Sequence, residues 1–519
     1  MSTPATSTAW SSPYGGIRFT TSPFGEMVEI GDPTTTTWRD QLIKLLHIDA
    51  AIEHGLMVAY LYAAYSLADV DLPTNLDSAT RDRRRTALTS WQEEILAIAK
   101  EEMSHLVIVQ NVLSLLGAPL CLSREDFPWD SQFYPFPINL EPLSRGSLAA
   151  YVVAEMPKGW LDGVTPAPAG DTGVPTDDTG FKRRLLADLA AYLGYTPTPD
   201  KPVAVNRVGA LFNAVLAILE DPDRLPDRHF NDNRYTLQAQ EAEWAKYFPS
   251  PRQEDDAVYR DNPELKQGHR IGDAQMIVEP LATRDEAVAA LKRVAHQGES
   301  PDQQPPGPQR SPQQAKSHFE RFFAIYKQWL TLGIDPNPAA RIPINPTEIR
   351  VDERRSPTGS STYIADSRSN RWAKLFNLRY RLLLTALGHT LQSPRRADAT
   401  GTPGTRGTLI HLSFGEMYNL KAIANILVRS PRDSRRDPKR AGPPFQMPYG
   451  SQLPAAELDR WLIYADILDA SQSIVSWLLR GDSNQAERAY LTHLSAMDRN
   501  TLTMVNGQIA RLSLTQGAE

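Results

Sequence analysis

Apolar side chains recur at three- and four-residue steps from Trp38 onward, which is the spacing of one face of an α-helix. This face comprises Leu42, Leu45, Leu46, Asp49, Glu53, Leu56 and Tyr60. A second long helix is predicted from Ala79 to Leu116, because Gly117 and the nearby Pro119 are typical of a helix end.

Shorter helices are predicted after these two. Ser147 is a suitable cap for a third helix, which carries Ala149 to Glu155. The remaining helices are predicted at about 181–193, 205–219, 284–297, 317–332, 371–391, 408–428, 455–480 and 484–512. No segment shows convincing strand alternation of any length, so the predicted fold class is all-α.

Stretches rich in proline and small polar residues divide the chain into four parts. Residues 1–37 are predicted to form an extended N-terminal arm. A helical bundle with long loop insertions would span 38–332, and a Pro-rich linker would follow at 333–370. The last part, 371–519, is predicted to be a helical region that packs on the bundle.

Composition narrows the class of protein. The 519 residues are 41% hydrophobic and 22% charged, which is typical of a globular protein, and the net charge is −6 without a basic stripe, so no nucleic-acid partner is expected. The single cysteine excludes an internal disulfide and a thiolate cluster. We see no signal peptide and no apolar run long enough for a membrane, and therefore expect a soluble cytoplasmic protein.

Candidate chemistry begins with Glu102 and His105. Residues three apart share a helix face, so this pair can reach one metal ion, although a Glu-x-x-His also occurs by chance on solvated faces. Here the pair lies on the apolar stripe of Ile98, Val109 and Val112, where a carboxylate and an imidazole need partners. The setting therefore favours a metal site.

Glu53 and Glu155 are also lone acids in apolar segments. Several buried carboxylates without a cation would be costly, which favours a shared metal site. The alternative is that these acids pair with arginines or with backbone donors.

Five segments carry a family resemblance. HIDAAIEHGLMVAYLYAAYSL, EEILAIAKEEMSHLVIVQNVLSLLGAPL and LAAYVVAEMP resemble the ferritin-like domain of iminophenylpyruvate dimer synthases, the proteins of violacein- and rebeccamycin-type bisindole pathways, which have many stand-alone relatives. DEAVAALKRVAHQGES and KSHFERFFAIYKQW resemble two later segments of that family. The resemblance covers about residues 38–332 and is weak between 158 and 270.

The resemblance implies a ferritin-like bundle that binds a metal pair. The implied ligands are Glu53, Glu102, His105, Glu155, Glu299 and His318. Glu299 and His318 are too far apart in sequence for one helical turn, so either the intervening loop bulges out and the helix resumes, or only one of the two binds metal. Tyr60, Ile98 and Val109 are candidates for a pocket wall, although core packing is the commoner role of such a tyrosine.

The implied activity is that of a non-haem di-iron oxidase or oxygenase in specialised metabolism. We expect two iron ions, with manganese as an alternative, and dioxygen and a small amino-acid-derived or aromatic substrate as partners. An external electron donor and a homo-oligomer are compatible with the sequence. The alternatives are a ferroxidase or iron-binding protein, a metal-dependent protein without redox chemistry, and a non-catalytic helical scaffold.

Overall fold

The structure is a computed structural model, and the fold is given by the residues that it describes. They are 10–11, 17–21, 26–30, 36–129, 138–168, 170, 173–194, 207–247, 276–298, 316–350, 361–395, 405–434, 439–448 and 452–516. Most of these residues are helical, which confirms the all-α fold class. In this part of the chain no helix is both long and apolar enough to cross a lipid bilayer.

The chain forms two compact units. The first unit comprises Met1–Cys121, Trp129–Glu241 and Glu264–Ala339, and the second comprises Leu122–Pro128, Ala242–Pro263 and Ala340–Glu519. The helices of the first unit are α1 (Trp38–Ser66), α2 (Ser78–Leu115), α3 (Arg145–Ala154), α4 (Asp178–Tyr192), α5 (Val208–Leu219), α7 (Arg284–Gly298) and α8 (His318–Thr331). Helix α6 (Glu241–Tyr247) begins at the boundary between the units, and two short 3-10 helices, Asp227–His229 and Asp232–Leu237, precede it.

Helices α1 and α2 pack along each other in the first unit. Thr37 caps α1 in a reciprocal capping box, and Asp77 caps α2. After α2 the backbone turns at Gly117, whose φ of 65° suits a residue without a side chain. The amide of Ala118 donates to the carbonyl of Leu113 at 2.8 Å and closes this end of the helix.

The cap of α3 differs from the prediction. Ser144, not Ser147, occupies the N-cap position, and its side chain accepts from the amide of Ser147. Ser147 contributes the reciprocal half of the capping box from inside the helix. Helix α3 therefore starts earlier than predicted, and Glu155 follows its last helical residue as the C-cap.

The N-terminal segment contains three short strands, which the sequence did not predict. Strands β1 (Trp10–Ser11), β2 (Ile17–Thr21) and β3 (Glu26–Ile30) form an antiparallel sheet, with Ile17 opposite Ile30. Runs of five residues or fewer are too short to give an alternation signal in the sequence. A second small sheet pairs β4 (Pro346–Thr347) in parallel with β5 (Thr362–Tyr363).

The described part of the second unit contains four long helices. They are α9 (Ser367–Thr390), α10 (Thr405–Leu427), α11 (Glu457–Arg480) and α12 (Gln485–Gln516). Their core contains Trp461, Tyr464 and Leu409. Within it the buried guanidinium of Arg379 pairs with the carboxylates of Glu416 and Asp498, so its positive charge compensates part of the negative charge buried there.

Candidate metal centre

Helix α2 contributes Glu102 and His105 to a buried cluster of acids and imidazoles. The side chains lie one turn apart on one face, and Nδ1 of His105 is 3.0 Å from Oε2 of Glu102. From Glu101 to Leu115 every residue of α2 is buried. The pair is therefore enclosed on all sides and does not lie on a solvated face, as the apolar stripe predicted.

Helix α1 adds Glu53 to the same cluster. Oε2 of Glu53 lies 3.4 Å from Nδ1 of His105, and it has no hydrogen-bond partner. One turn earlier, Asp49 is also fully buried. Two carboxylates of α1 therefore face the interior beside α2.

Glu155 reaches the cluster from the end of α3. Its Oε1 lies 4.0 Å from Nδ1 of His318 and accepts a hydrogen bond of 2.7 Å from the hydroxyl of Tyr60. Tyr60 was predicted as a pocket residue, and its hydroxyl instead fixes the position of this carboxylate. Its ring packs against Tyr151 and Phe322 in the core.

His318 is the first residue of α8. Ser317 caps this helix in a capping box with Glu320, which fixes the backbone from which the His318 side chain extends. Nδ1 of His318 lies 2.9 Å from Oε1 of Glu102, and its ring stacks on that of His105 with centroids 5.3 Å apart. The structure thus brings His318 to the predicted site.

Glu102 lies between the two imidazoles. Its Oε2 faces Nδ1 of His105, and its Oε1 faces Nδ1 of His318. Donor atoms of these three residues all lie within 4.8 Å of one another. The arrangement defines two sides: a His105 side with Glu53, and a His318 side with Glu155, with Glu102 shared between them.

The outer nitrogen of each imidazole also faces an oxygen. Nε2 of His105 is 2.9 Å from Oε1 of Gln297, and Nε2 of His318 is 2.9 Å from Oε2 of Glu101. In a neutral imidazole, a hydrogen-bond acceptor beside Nε2 favours the tautomer with the proton on Nε2. The lone pair of Nδ1 then points toward the cluster. The guanidinium of Arg321 in turn contacts Glu101 and Glu94.

A small cavity adjoins the cluster. Its walls comprise Glu53, Leu56, Glu102, His105, Glu155, Val208, Gly209, Phe212, Val294, Ala295 and Gly298. Ile98 and Val109, which the sequence suggested as pocket residues, are not among them, and both are buried core residues of α2. Residues of α5 and α7 form the apolar wall instead.

Gly298 makes room for a carboxylate at the end of α7. A Cβ atom at this position would lie 3.1 Å from Oε2 of Glu155. Helix C-termini carry partial negative charge from unpaired carbonyls, and both α3 and α7 end at this cluster. These helix ends therefore favour a cation at this place. Glu299, the remaining predicted ligand, lies outside the described residues.

Comparison with known proteins agrees with this geometry. The family model described as Ferritin-like matches residues 46–327, which is more than half of the chain. The chain belongs to the Ferritin-like family. The matched segment includes Glu53, Glu102, His105, Glu155 and His318, so the clustered residues lie in the Ferritin-like part of the chain.

Two curated proteins are similar to this Ferritin-like chain over shorter stretches. Dichlorochromopyrrolate synthase of Lentzea aerocolonigenes is 32% identical over 173 residues, covering 31% of this chain and 17% of the relative. The 2-imino-3-(indol-3-yl)propanoate dimerase of Chromobacterium violaceum is 30% identical over 146 residues, covering 24% of this chain and 14% of the relative. The matches thus span less than a fifth of either relative. No solved structure matches significantly.

The Ferritin-like site holds two buried acids that sequence reasoning did not assign. Glu101 does not belong to the apolar stripe of Ile98, Val109 and Val112, yet it is buried and contacts His318. Asp49 was assigned only to the helical stripe of α1. Its spacing of four residues from Glu53 was the available signal, since residues at that spacing share a helix face.

Electrostatics distinguish the acids of the cluster. Burial raises the pKa of Asp49 and of Glu155 to about 8, and burial together with the charge of Glu102 raises the pKa of Glu53 well above its ordinary value. For Glu102, burial opposes ionisation, but the charge of His318 and the hydrogen bond from His105 outweigh it, so its pKa lies well below its ordinary range. Glu102 is therefore the carboxylate that remains ionised.

The imidazoles respond to these acids. Burial disfavours a charged ring at His105. The nearby carboxylates of Glu53 and Glu102 nevertheless raise the pKa of His105 well above its ordinary value. The charge of Glu102 and the hydrogen bond to Glu101 likewise raise the pKa of His318 to about 9, against the effect of burial. Both rings therefore carry protons that a metal ion would displace.

The donor set of the Ferritin-like site fits metal ions. Among the described residues, no lysine or arginine pairs with Asp49, Glu53, Glu102 or Glu155. Buried atoms without hydrogen-bond partners include Glu53 Oε2, Glu102 Oε1 and His318 Nδ1, which are the atoms that face the cluster. Carboxylate oxygens and imidazole nitrogens are the donors that iron and manganese accept in helical bundles.

Proposed function

We propose that this protein is a dimetal oxidoreductase, with an iron pair that uses dioxygen to oxidise a small organic substrate. The observation that carries the proposal is the position of Glu102, whose two oxygens face the Nδ1 atoms of two different histidines. One carboxylate placed in this way can bridge two ions. Membership of the Ferritin-like family supports the same proposal.

The protein's own residues would hold and orient the pair. His105 and Glu53 would bind the ion on one side, and His318 and Glu155 the ion on the other. Tyr60 would hold the Glu155 carboxylate through its hydroxyl. An iron pair, when bound, would supply electrons for the reduction of dioxygen.

The outer partners of the histidines would fix the rings before any ion binds. Gln297 and Glu101 each accept from an Nε2 atom, so both Nδ1 atoms face the cluster and would become ligands once a metal ion displaces their protons. Leu56, Phe212 and Val294 give the adjoining cavity an apolar wall that limits access of water. The same wall would limit side reactions with water.

The names of the relatives support a substrate class. One is a dimerase of an indolyl imino acid, and the other is a synthase of dichlorochromopyrrolate. We therefore propose an aromatic, amino-acid-derived substrate in natural product biosynthesis. An external electron donor would supply reducing equivalents if the overall reaction needs more than the substrate provides, and manganese is the alternative metal.

The test is anaerobic loading with ferrous iron, followed by metal analysis and then by exposure to dioxygen with optical spectra. The wild-type protein is expected to retain two ions per chain and to consume dioxygen. Glu102→Gln removes the shared charge, and we expect it to retain less than one ion per chain. Glu141→Gln is the matched control, because Glu141 is a buried carboxylate of the same unit that contacts Tyr192.

Each other outcome points to a different function. Less than one ion per wild-type chain would contradict the proposal and favour a non-catalytic scaffold. Two ions without any reaction with dioxygen would favour a metal-dependent activity without redox chemistry. Large iron loads with mineral cores would favour a ferroxidase.

A further inference from the structure

Asp49 is a fully buried carboxylate without a hydrogen-bond partner. Neither of its oxygens is satisfied among the described residues, and its side chain is 0% exposed. An ionised carboxylate in such a place is costly without a counter-ion. A protonated one would still need an acceptor for its hydroxyl group. The Asp49 carboxylate therefore needs a partner, such as a cation, that the described side chains do not provide.

The register of α1 places Asp49 beside the candidate metal centre. Asp49 precedes Glu53 by four residues, so both lie on the same face of the helix, about 6 Å apart along it. Both are buried in the packing of α1 along α2. The charges of His105 and Glu102 act on the ionisation of Asp49, which puts its carboxylate within electrostatic reach of the His105 side.

The formal charges of the cluster also favour a role for Asp49 in metal binding. Asp49, Glu53, Glu102 and Glu155 supply up to four negative charges, and among the described residues no lysine or arginine pairs with them. Two divalent ions would neutralise four carboxylates. Among the described acids that no lysine or arginine pairs with, Asp49 is therefore the fourth carboxylate of a set that would balance two divalent ions.

We propose that Asp49 is a metal ligand on the His105 side of the centre, contributed by α1 one turn before Glu53. The inference rests on the proposed function, since it assigns a further carboxylate to the same metal pair. The ion on this side would then be held by two carboxylates of α1, by His105 and by the shared Glu102. A rigid helix would present two of its ligands at a fixed spacing.

The test compares Asp49→Asn with the wild-type protein in metal titrations and thermal melts. Asparagine keeps the shape and removes the charge, so the apo variant should melt at or above the temperature of the apo wild type. The affinity for one of the two ions should fall by at least about tenfold. The rise in melting temperature on loading with manganese(II) or ferrous iron should shrink, while the affinity for the second ion is retained.

Two further variants make the result decisive. Asp188→Asn is the matched control, because Asp188 is a buried aspartate of the same unit that pairs with Tyr326 and Arg145; it should alter apo stability but not metal affinity. Asp49→Glu keeps the charge on a longer side chain and should bind more tightly than Asp49→Asn. It also tests the inference if the asparagine variant folds poorly.

Wild-type affinities and an unchanged thermal shift in Asp49→Asn would overturn the assignment of Asp49 while leaving the metal centre intact. Failure of the wild-type protein to bind metal would instead overturn the proposed function, and the role of Asp49 with it. The two failures are distinguishable because the wild-type titration is measured first.

Discussion

The two histidines of the centre differ in the group that accepts from the outer ring nitrogen. His105 faces the neutral amide of Gln297, whereas His318 faces the carboxylate of Glu101. A charged acceptor makes the imidazole a stronger donor to a metal ion. We therefore expect the His318 side to bind its ion more tightly and to favour the higher oxidation state.

Replacing Glu101 by glutamine should expose this difference. The amide can still accept from Nε2 but carries no charge, so the affinity for the ion on the His318 side should fall about 10- to 100-fold. The affinity on the His105 side should be retained. Stepwise titration with manganese(II), followed by electron paramagnetic resonance, separates the two events.

Glu94→Gln is the comparison for that variant, because Glu94 contacts Arg321 and not a histidine. It should keep near wild-type affinities. An equal loss in both variants would mean that the anchoring of Arg321, rather than the charge of Glu101, sets the affinity.

At the level of residues, the sequence was informative where a helix has one buried face. Glu53, Glu102 and His105 follow the apolar stripes of α1 and α2, and the structure places them together. Glu101 could not be found in this way, because α2 is buried on all sides from Glu101 onward. Where a helix has no exposed face, an apolar stripe does not distinguish buried residues from exposed ones. Its partner His318 is 217 residues away, a distance that local patterns do not bridge.

At the level of elements, helix caps control the geometry of the site. His318 is the first residue of α8, so the capping box of Ser317 and Glu320 determines where its side chain begins. Glu155, by contrast, lies at the far end of α3 from the cap at Ser144. Fraying of the first turn of α8 should therefore disturb the metal site, whereas fraying of the first turn of α3 should not.

Ser317→Ala tests this idea. Loss of an N-cap serine costs about 1 kcal/mol in the free energy of unfolding, and fraying of the first turn should weaken binding of the ion on the His318 side. Ser144→Ala should cost a similar free energy and leave metal affinity near that of the wild type. Chemical denaturation and metal titration of both variants provide the comparison. Equal affinities in the two would show that packing alone holds His318.

Helices were more predictable than their surroundings. The starts of α1 at Trp38 and of α7 at Arg284 agree with the prediction, because apolar periodicity and capping residues coincide there. The small N-terminal sheet was missed, since its pairing depends on contacts between strands too short to give a signal. The grouping of Leu122–Pro128 with the second unit likewise depends on contacts between residues far apart in sequence.

At the level of the whole molecule, the two units neutralise buried charge by different means. In the second unit the guanidinium of Arg379 compensates part of the negative charge of its two acidic partners. In the first unit, burial raises the pKa of Asp49 and Glu155 to about 8, and nearby carboxylates raise that of His318 to about 9. Protons therefore neutralise the cluster until a metal ion displaces them.

This difference predicts how stability depends on pH. Each of these pKa values is raised above its ordinary value, so the folded apo protein binds protons more tightly than the unfolded chain. The resulting stability is fully present below the ordinary values and is lost as the pH rises through about 8 to 9. Metal affinity should rise over the same range, by about tenfold per pH unit for each proton displaced.

Thermal melts of apo and loaded protein between about pH 6 and about pH 9 provide the measurement, since the raised pKa values lie in this window. The gap between the two melting temperatures should widen as the pH rises. A gap that narrows would contradict the assignment of protons to the cluster. The release of protons on loading, followed with an indicator in weak buffer, is an independent check.

The location of His318 at the start of its own helix has a consequence for finding related proteins in genomes. Because α7 ends at Gly298 and α8 begins anew at His318, the length of chain between them does not determine where this imidazole lies. A search for two Glu-x-x-His motifs would pass over such a chain. Relatives with the same centre are better sought by a glycine that ends one helix and a Ser-His that begins the next, with any spacing allowed.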